Sequence, residues 1–195
     1  CTAPDSTVRG DLMSNKRKGR KPQRVIRELQ KRKRTLPRWE VAHATYHVRA
    51  SVLRERRESL VAQEVAEIVR GTMHHDDGRR YVLHCYAIMP THFHAILHPS
   101  RRDDGSIPIT EILKILKGVS ARRINQMSGR GGSFWLDESF TRIIRSPEEY
   151  CHTWHYIRCN PIKAGFVERP QDWPWWWGRD DATSGWSLPL PDGVG

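Results

Sequence analysis

The chain has 195 residues, enough for one domain with tails, and a formal net charge of +11. No apolar stretch is long enough to cross a membrane or serve as a secretion signal, and the four cysteines include no Cys-x-x-Cys pair. A membrane protein, an exported protein and a disulfide scaffold are therefore set aside in favour of a reduced, cytoplasmic setting.

The charge is unevenly placed. Residues 1–38 hold 13 of the 33 Lys and Arg against only Asp5, Asp11 and Glu28, so the remaining body is close to neutral. Those residues read as a basic, flexible N-terminal arm. The chain opens on Cys1 rather than Met, which leaves its natural start open. Between Lys16 and Arg34 only Val25, Ile26 and Leu29 are apolar. Such a run suits contact with phosphates, which releases counterions and weakens with salt.

Residues 39–177 read as one folded domain and residues 178–195 as a loose tail. The first strand is expected over residues 39–50, with Tyr46, Val48 and Ala50 on a buried face and His43, Thr45, His47 and Arg49 on a polar one. A helix over residues 57–70 carries Val61, Val65, Ile68 and Val69 on one stripe, with Gly71 as its stop. Residues 81–89 and 92–98 are two strands joined through Pro90-Thr91, and a polar loop follows. Residues 109–127 form a second helix, with Ile112, Leu113, Leu116, Val119 and Ile124 inward and Lys114, Lys117, Arg122 and Arg123 on the other side. Residues 134–145 are a fourth strand with an irregular middle. Ser146-Pro147-Glu148-Glu149 starts a last helix, with a Ser cap, Pro at the first helical position and a Glu reaching back. This order is a split βαβ sheet, antiparallel and of the ferredoxin-like or RRM-like kind, an α+β fold with two helices on one face and an added C-terminal helix.

Met89-Pro90-Thr91-His92-Phe93-His94 carries the chemistry. On a strand, His92 and His94 point one way and Phe93 the other, so two imidazoles flank one small object such as a divalent cation. On the last helix His152, Tyr156 and Asn160 stand four residues apart along one edge. If that edge faces the histidines, the Asn160 amide becomes a third ligand and the Tyr156 hydroxyl a nucleophile. A tyrosine hydroxyl is a poor nucleophile until its proton leaves and the charge on its target is neutralised, which a hard cation does for a phosphodiester. Cys151, His155 and Cys159 share helical spacing, but neighbouring turns of one helix make a tetrahedral zinc site awkward, and they read as packing.

Met89-Pro90-Thr91-His92-Phe93-His94, with Tyr156-Ile157-Arg158-Cys159-Asn160-Pro161-Ile162-Lys163-Ala164-Gly165, resembles the single-tyrosine HUH transposases of the IS200-like superfamily. Among them it is most similar to the REP-associated tyrosine transposases. The likeness covers residues 39–177. It implies that His92, His94 and Asn160 bind Mg²⁺ or Mn²⁺ and that Tyr156 cleaves and rejoins single-stranded or hairpin DNA through a 5′-phosphotyrosine. It also implies a DNA-facing helix bearing Lys117, Arg122, Arg123 and Asn125, to which the exposed Lys114 is added. Thr91 departs from the Asn usual at that position, and Thr also bonds turn backbone. Such proteins include dimers that exchange the tyrosine and also monomers, so both arrangements stay open. Trp173-Pro174-Trp175-Trp176-Trp177 resembles the family's closing segment and is expected to seal the sheet.

Two other readings remain: an RRM-like module that holds single-stranded nucleic acid by stacking, without chemistry, and a decayed transposase that only binds DNA. Tyr150 is a rival nucleophile, placed in the first turn of the last helix.

Overall fold

The computed structural model describes residues 41, 43–56, 60–103 and 105–179. The basic arm and the chain beyond Arg179 lie outside these residues, and with them the expected phosphate contact by residues 16–34.

Strand β1 (Thr45–Ser51) begins later than the sequence suggests, because His43 turns the chain with a left-handed backbone, φ 62°. Tyr46 fastens that turn: its hydroxyl accepts from the Val41 amide (2.8 Å) and donates to the Val41 carbonyl (3.0 Å). Helix α1 (Gln63–His75) buries Val65, Val69 and Met73 on one stripe. Gly71 does not stop it. An interior glycine costs about 1 kcal/mol relative to alanine, whereas burying a Met side chain contributes roughly 1.5–3 kcal/mol. Met73 is fully buried, and its carbonyl accepts from the Tyr81 hydroxyl at 2.7 Å, so the longer helix wins.

Strands β2 (Tyr81–Met89) and β3 (His92–Pro99) form the expected hairpin across Pro90-Thr91. The polar loop after them contains a small separate hairpin, β4 (Arg101–Arg102) with β5 (Gly105–Ser106). Helix α2 (Ile109–Ser128) buries Ile112, Leu113, Leu116 and Ile124 and closes on Gly129, whose left-handed φ of 64° suits a residue without Cβ. Val119 is exposed, contrary to the expected stripe. The inward position belongs to Ser120, whose hydroxyl accepts the buried Trp135 indole N–H at 3.0 Å.

The fourth strand is shorter than expected. Residues 134–136 dock beside the end of β1, where the Leu53 amide donates to the Phe134 carbonyl (2.9 Å) and the Leu136 amide to the Ser51 carbonyl (2.8 Å). Only Phe140–Ile144 enters the sheet, as β6. Helix α3 (Pro147–Arg158) starts as its sequence dictates: the Ser146 hydroxyl accepts from the Glu149 amide at 3.2 Å. The Glu149 carboxylate reaches one residue further back than the cap, to the Arg145 amide at 2.9 Å. A short α4 (Asn160–Lys163) follows.

The tryptophan-rich segment adds an unforeseen fifth strand, β7 (Trp176–Gly178), on the free edge of β2. The strand order is β6-β1-β3-β2-β7 with all neighbours antiparallel. The first four strands are the split βαβ sheet. Gly178 and Arg179, assigned above to the tail, are held: Gly178 ends β7, and the Arg179 guanidinium grips the Asp77 carboxylate through two 2.6 Å contacts.

Residues directly paired across antiparallel strands point to one face. Tyr46, Val48, Ala50, Phe93 and Leu97 face α1 and α2 and build the main core with them. His47, Arg49, His92, His94 and Ile96 face the other way. There α3 lies on the sheet through Ile157, wholly buried with Cys85, Ala87, Ile96 and Ile144.

Candidate active site

Seating Ile157 in that second, smaller core fixes the rotation of α3. Its neighbour Tyr156 falls about 100° around the helix, at the margin of the covered face, and is 42% exposed. There its ring meets two imidazoles edge to face: His94 at 5.6 Å between centroids and His47 at 6.1 Å. The Lys163 ammonium from α4 sits 4.9 Å from the ring centroid. Tyr156, His94 and His47 border an open cavity of about 740 Å³, which Arg49, Phe140, Arg142 and His152 also line.

The structure brings Tyr156, His92 and His94 to one side of the sheet, as their spacing requires. His92 and His94 are nearly perpendicular, 4.9 Å between centroids. Burial pushes His92 down to about 4, aided by the Arg49 charge. It pushes His94 down to about 3, aided by His47, His92 and Arg49. Both are neutral imidazoles near neutral pH, the form that binds metals. Thr91, the departure from the usual Asn, bonds His92: its hydroxyl lies 3.1 Å from Nδ1.

His47 is the residue the sequence undervalued. Its Nε2 lies 2.9 Å from His94 Nδ1, with the rings 5.1 Å apart. Burial, then Arg142 and Arg49, pushes His47 down to about 4, so the pair is neutral and this hydrogen bond holds one proton. For His94 Nε2 to present a lone pair, that proton must sit on His94 Nδ1 and be donated to His47 Nε2. The signal was available: His47 lies on the polar face of β1 with Thr45 and Arg49.

Asn160 does not continue the α3 edge, because the helix ends at Arg158 and Asn160 opens α4. Its Nδ2 is buried with no hydrogen-bond partner among the described residues. His92 and His94 present two neutral imidazoles, each with one nitrogen engaged, of the kind that ligate divalent metals. The unsatisfied Asn160 atom is an amide nitrogen, which donates, so any ligand from that side chain is its Oδ1. Among the described residues no group of three or more His, Cys, Asp or Glu could hold a metal ion.

Tyr150 is engaged elsewhere: its hydroxyl bonds His84 Nδ1 at 3.0 Å, and its ring packs on the small core. The α2 residues stand apart from Tyr156, on the helix layer across the sheet. Lys114, Arg122 and Arg123 are exposed there. Lys117 binds the Leu136 and Asp137 carbonyls (2.6 and 2.8 Å), and the Asn125 amide donates to the Gly132 carbonyl (2.8 Å). Both brace the loop leading to β6.

No family model matches the chain. A REP-associated tyrosine transposase of Escherichia coli (strain K12) is 26% identical over 123 residues, which cover 63% of this chain and 69% of that protein. A relative from Haemophilus influenzae, likewise named for the REP-associated tyrosine transposases, is 27% identical over 94 residues. That match covers 45% of this chain, and the chain spans about half of the relative's length, 53%. A solved REP-associated tyrosine transposase bound to a REP hairpin superimposes with a TM-score of 0.60 at 19% identity, over 82% of this chain and 97% of that one. The chain is thus similar in sequence to REP-associated tyrosine transposases and shares the fold of a solved one.

Proposed function

We propose that this chain is a metal-dependent DNA strand transferase that cleaves and rejoins single-stranded or hairpin DNA through a phosphotyrosine at Tyr156. The observation that carries the reading is the approach of the half-exposed Tyr156 ring to His94, 5.6 Å between centroids, at the mouth of a cavity. Tyr156 Oη attacks the scissile phosphorus; the P–O3′ bond breaks, the phenol proton passes to water and the departing 3′ oxygen takes one up. The chain keeps the 5′ side as a phosphotyrosine. A second 3′ hydroxyl then attacks the same phosphorus, and the tyrosine oxygen leaves and regains its proton. His92, His94 and Asn160 would hold Mg²⁺ or Mn²⁺, which supplies polarisation of the phosphodiester and neutralises its charge. His47 fixes the tautomer of His94, and Lys163 steadies the phenol ring.

Hairpin DNA is the proposed partner, because the solved neighbour is bound to a REP hairpin. Lys114, Arg122 and Arg123 supply exposed charge for its backbone, with Lys117 and Asn125 shaping the adjoining loop. A reduced cytoplasm fits the free Cys85, Cys151 and Cys159. The stacking-module reading is disfavoured by burial: Tyr81, Tyr86 and Phe93 are at most 2% exposed and offer no platform on the central strands. The test is incubation with a labelled single-stranded hairpin in Mn²⁺, in EDTA or with neither. Strand transfer requires a covalent adduct in Mn²⁺ that EDTA and Tyr156→Phe both abolish. Tight binding without an adduct under any condition would instead indicate a chain that only binds.

A further inference from the structure

The cavity beside Tyr156 holds two side chains that the chemistry above leaves without a task. Phe140, at the start of the edge strand β6, is 50% exposed, whereas Phe93 and Phe134 are wholly buried. Arg49 is exposed on β1, and no described carboxylate or carbonyl bonds its guanidinium, while neighbouring Arg142 is held by Glu149 at 2.6 Å. Register aligns them: Phe140 pairs with Arg49, and Arg49 pairs with His94. Aromatic ring, guanidinium and imidazole thus stand in one row across three strands on the Tyr156 side, roughly 10 Å from end to end at the usual strand spacing. His47 meets the Phe140 ring at 71°, perpendicular rather than stacked (5.7 Å between centroids).

A half-wet phenyl ring forgoes part of the roughly 1.5–3 kcal/mol that burial would contribute. A guanidinium with no carboxylate or carbonyl partner among the described residues, beside a cluster of imidazoles, calls for an anion, and Arg49 bears on His47, His92 and His94 alike. A nucleotide satisfies both, with an apolar base face at one end and a phosphate at the other. Duplex DNA cannot offer a base face without unstacking.

We propose that Phe140 and Arg49 form a nucleotide subsite in which a base adjoining the scissile phosphate stacks on the Phe140 ring and the attached phosphate pairs with the Arg49 guanidinium. The subsite rests on the strand-transfer reading only for which phosphate is cut. It makes the ligand single-stranded at this point, and tolerant of base identity because every base has a stacking face.

The test uses the full chain carrying Tyr156→Phe and a single-stranded oligonucleotide in which an abasic residue is walked through each position. Phe140→Ala weakens binding about 10-fold. One abasic position weakens it by a similar factor, and the two changes together cost no more than either alone, while Phe140→Trp binds as the parent does. Arg49→Ala lowers the slope of log affinity against log salt by about one. Unchanged binding in Phe140→Ala, or multiplicative losses at every position, overturns the subsite. Adduct formation with Tyr156 intact is scored separately: its absence with the coupling intact sinks strand transfer and keeps the subsite, and the opposite pattern does the reverse.

Discussion

His47 Nε2 and His94 Nδ1 lie 2.9 Å apart, joining strands β1 and β3 through two buried imidazoles. If His94 binds a cation through Nε2, His47 is its acceptor, and losing such a partner typically lowers metal affinity 10- to 100-fold. His47→Phe is expected to weaken Mn²⁺ binding by about that factor, with His47→Gln closer to the parent because its amide oxygen accepts. A Mn²⁺ titration followed by electron paramagnetic resonance reads this without turnover. Equal affinities in parent and His47→Phe would remove His47 from the metal site.

Stability depends on acid through His84. Burial, then His98 and Arg179, holds it at about 4, with Asp77 opposing. In the unfolded chain it titrates near 6.5. Between those values the unfolded chain gains a proton that the folded one refuses, so stability falls as pH drops from about 6.5 to 4, by up to roughly 3 kcal/mol. His84→Gln should flatten that part of the urea-unfolding profile. An unchanged slope would assign the acid sensitivity to the other depressed histidines.

Gly178 is fixed by close approach. A Cβ there would meet ring carbons of Trp176 at 3.1 Å and Trp154 at 3.2 Å. Trp154 belongs to α3, so Gly178→Ala is expected to destabilise the fold by about 1–2 kcal/mol and to loosen the seat of Tyr156. Thermal melting and adduct yield should fall together. An unchanged melt would mean that the indoles shift freely.

The α2 cations divide into two groups. Lys117 is bonded to the loop before β6, so Lys117→Ala should lower stability, by about 1 kcal/mol for hydrogen bonds from a charged group. Lys114→Ala, Arg122→Ala and Arg123→Ala should leave melting unchanged and each reduce the salt slope of hairpin binding by about one. No change in that slope would free α2 from DNA contact.

The hairpin β2–β3, the α2 boundaries and the α3 start were legible because each is set locally: a Pro-Thr turn, a 3.6-residue stripe, a Ser-Pro-Glu cap. The shared face of His92 and His94 followed from alternation along one strand. What escaped was set by partners distant in sequence. Gly71 looks like a stop until Met73 is seen buried under the sheet. Residues 134–136 look like strand, but their hydrogen bonds go to Ser51 and Leu53. β7 exists because Trp176 and Trp177 find opposite faces of β2, and His47 gains its role only when β3 lies beside β1.

Proteolysis of the Mn²⁺-dependent adduct, followed by mass spectrometry of the linked peptide, tests whether Tyr156 Oη forms the bond to DNA. The expected result is a nucleotide phosphate on Tyr156, joined to the 5′ side of the break. A phosphate on Tyr150, or on a histidine, would contradict it.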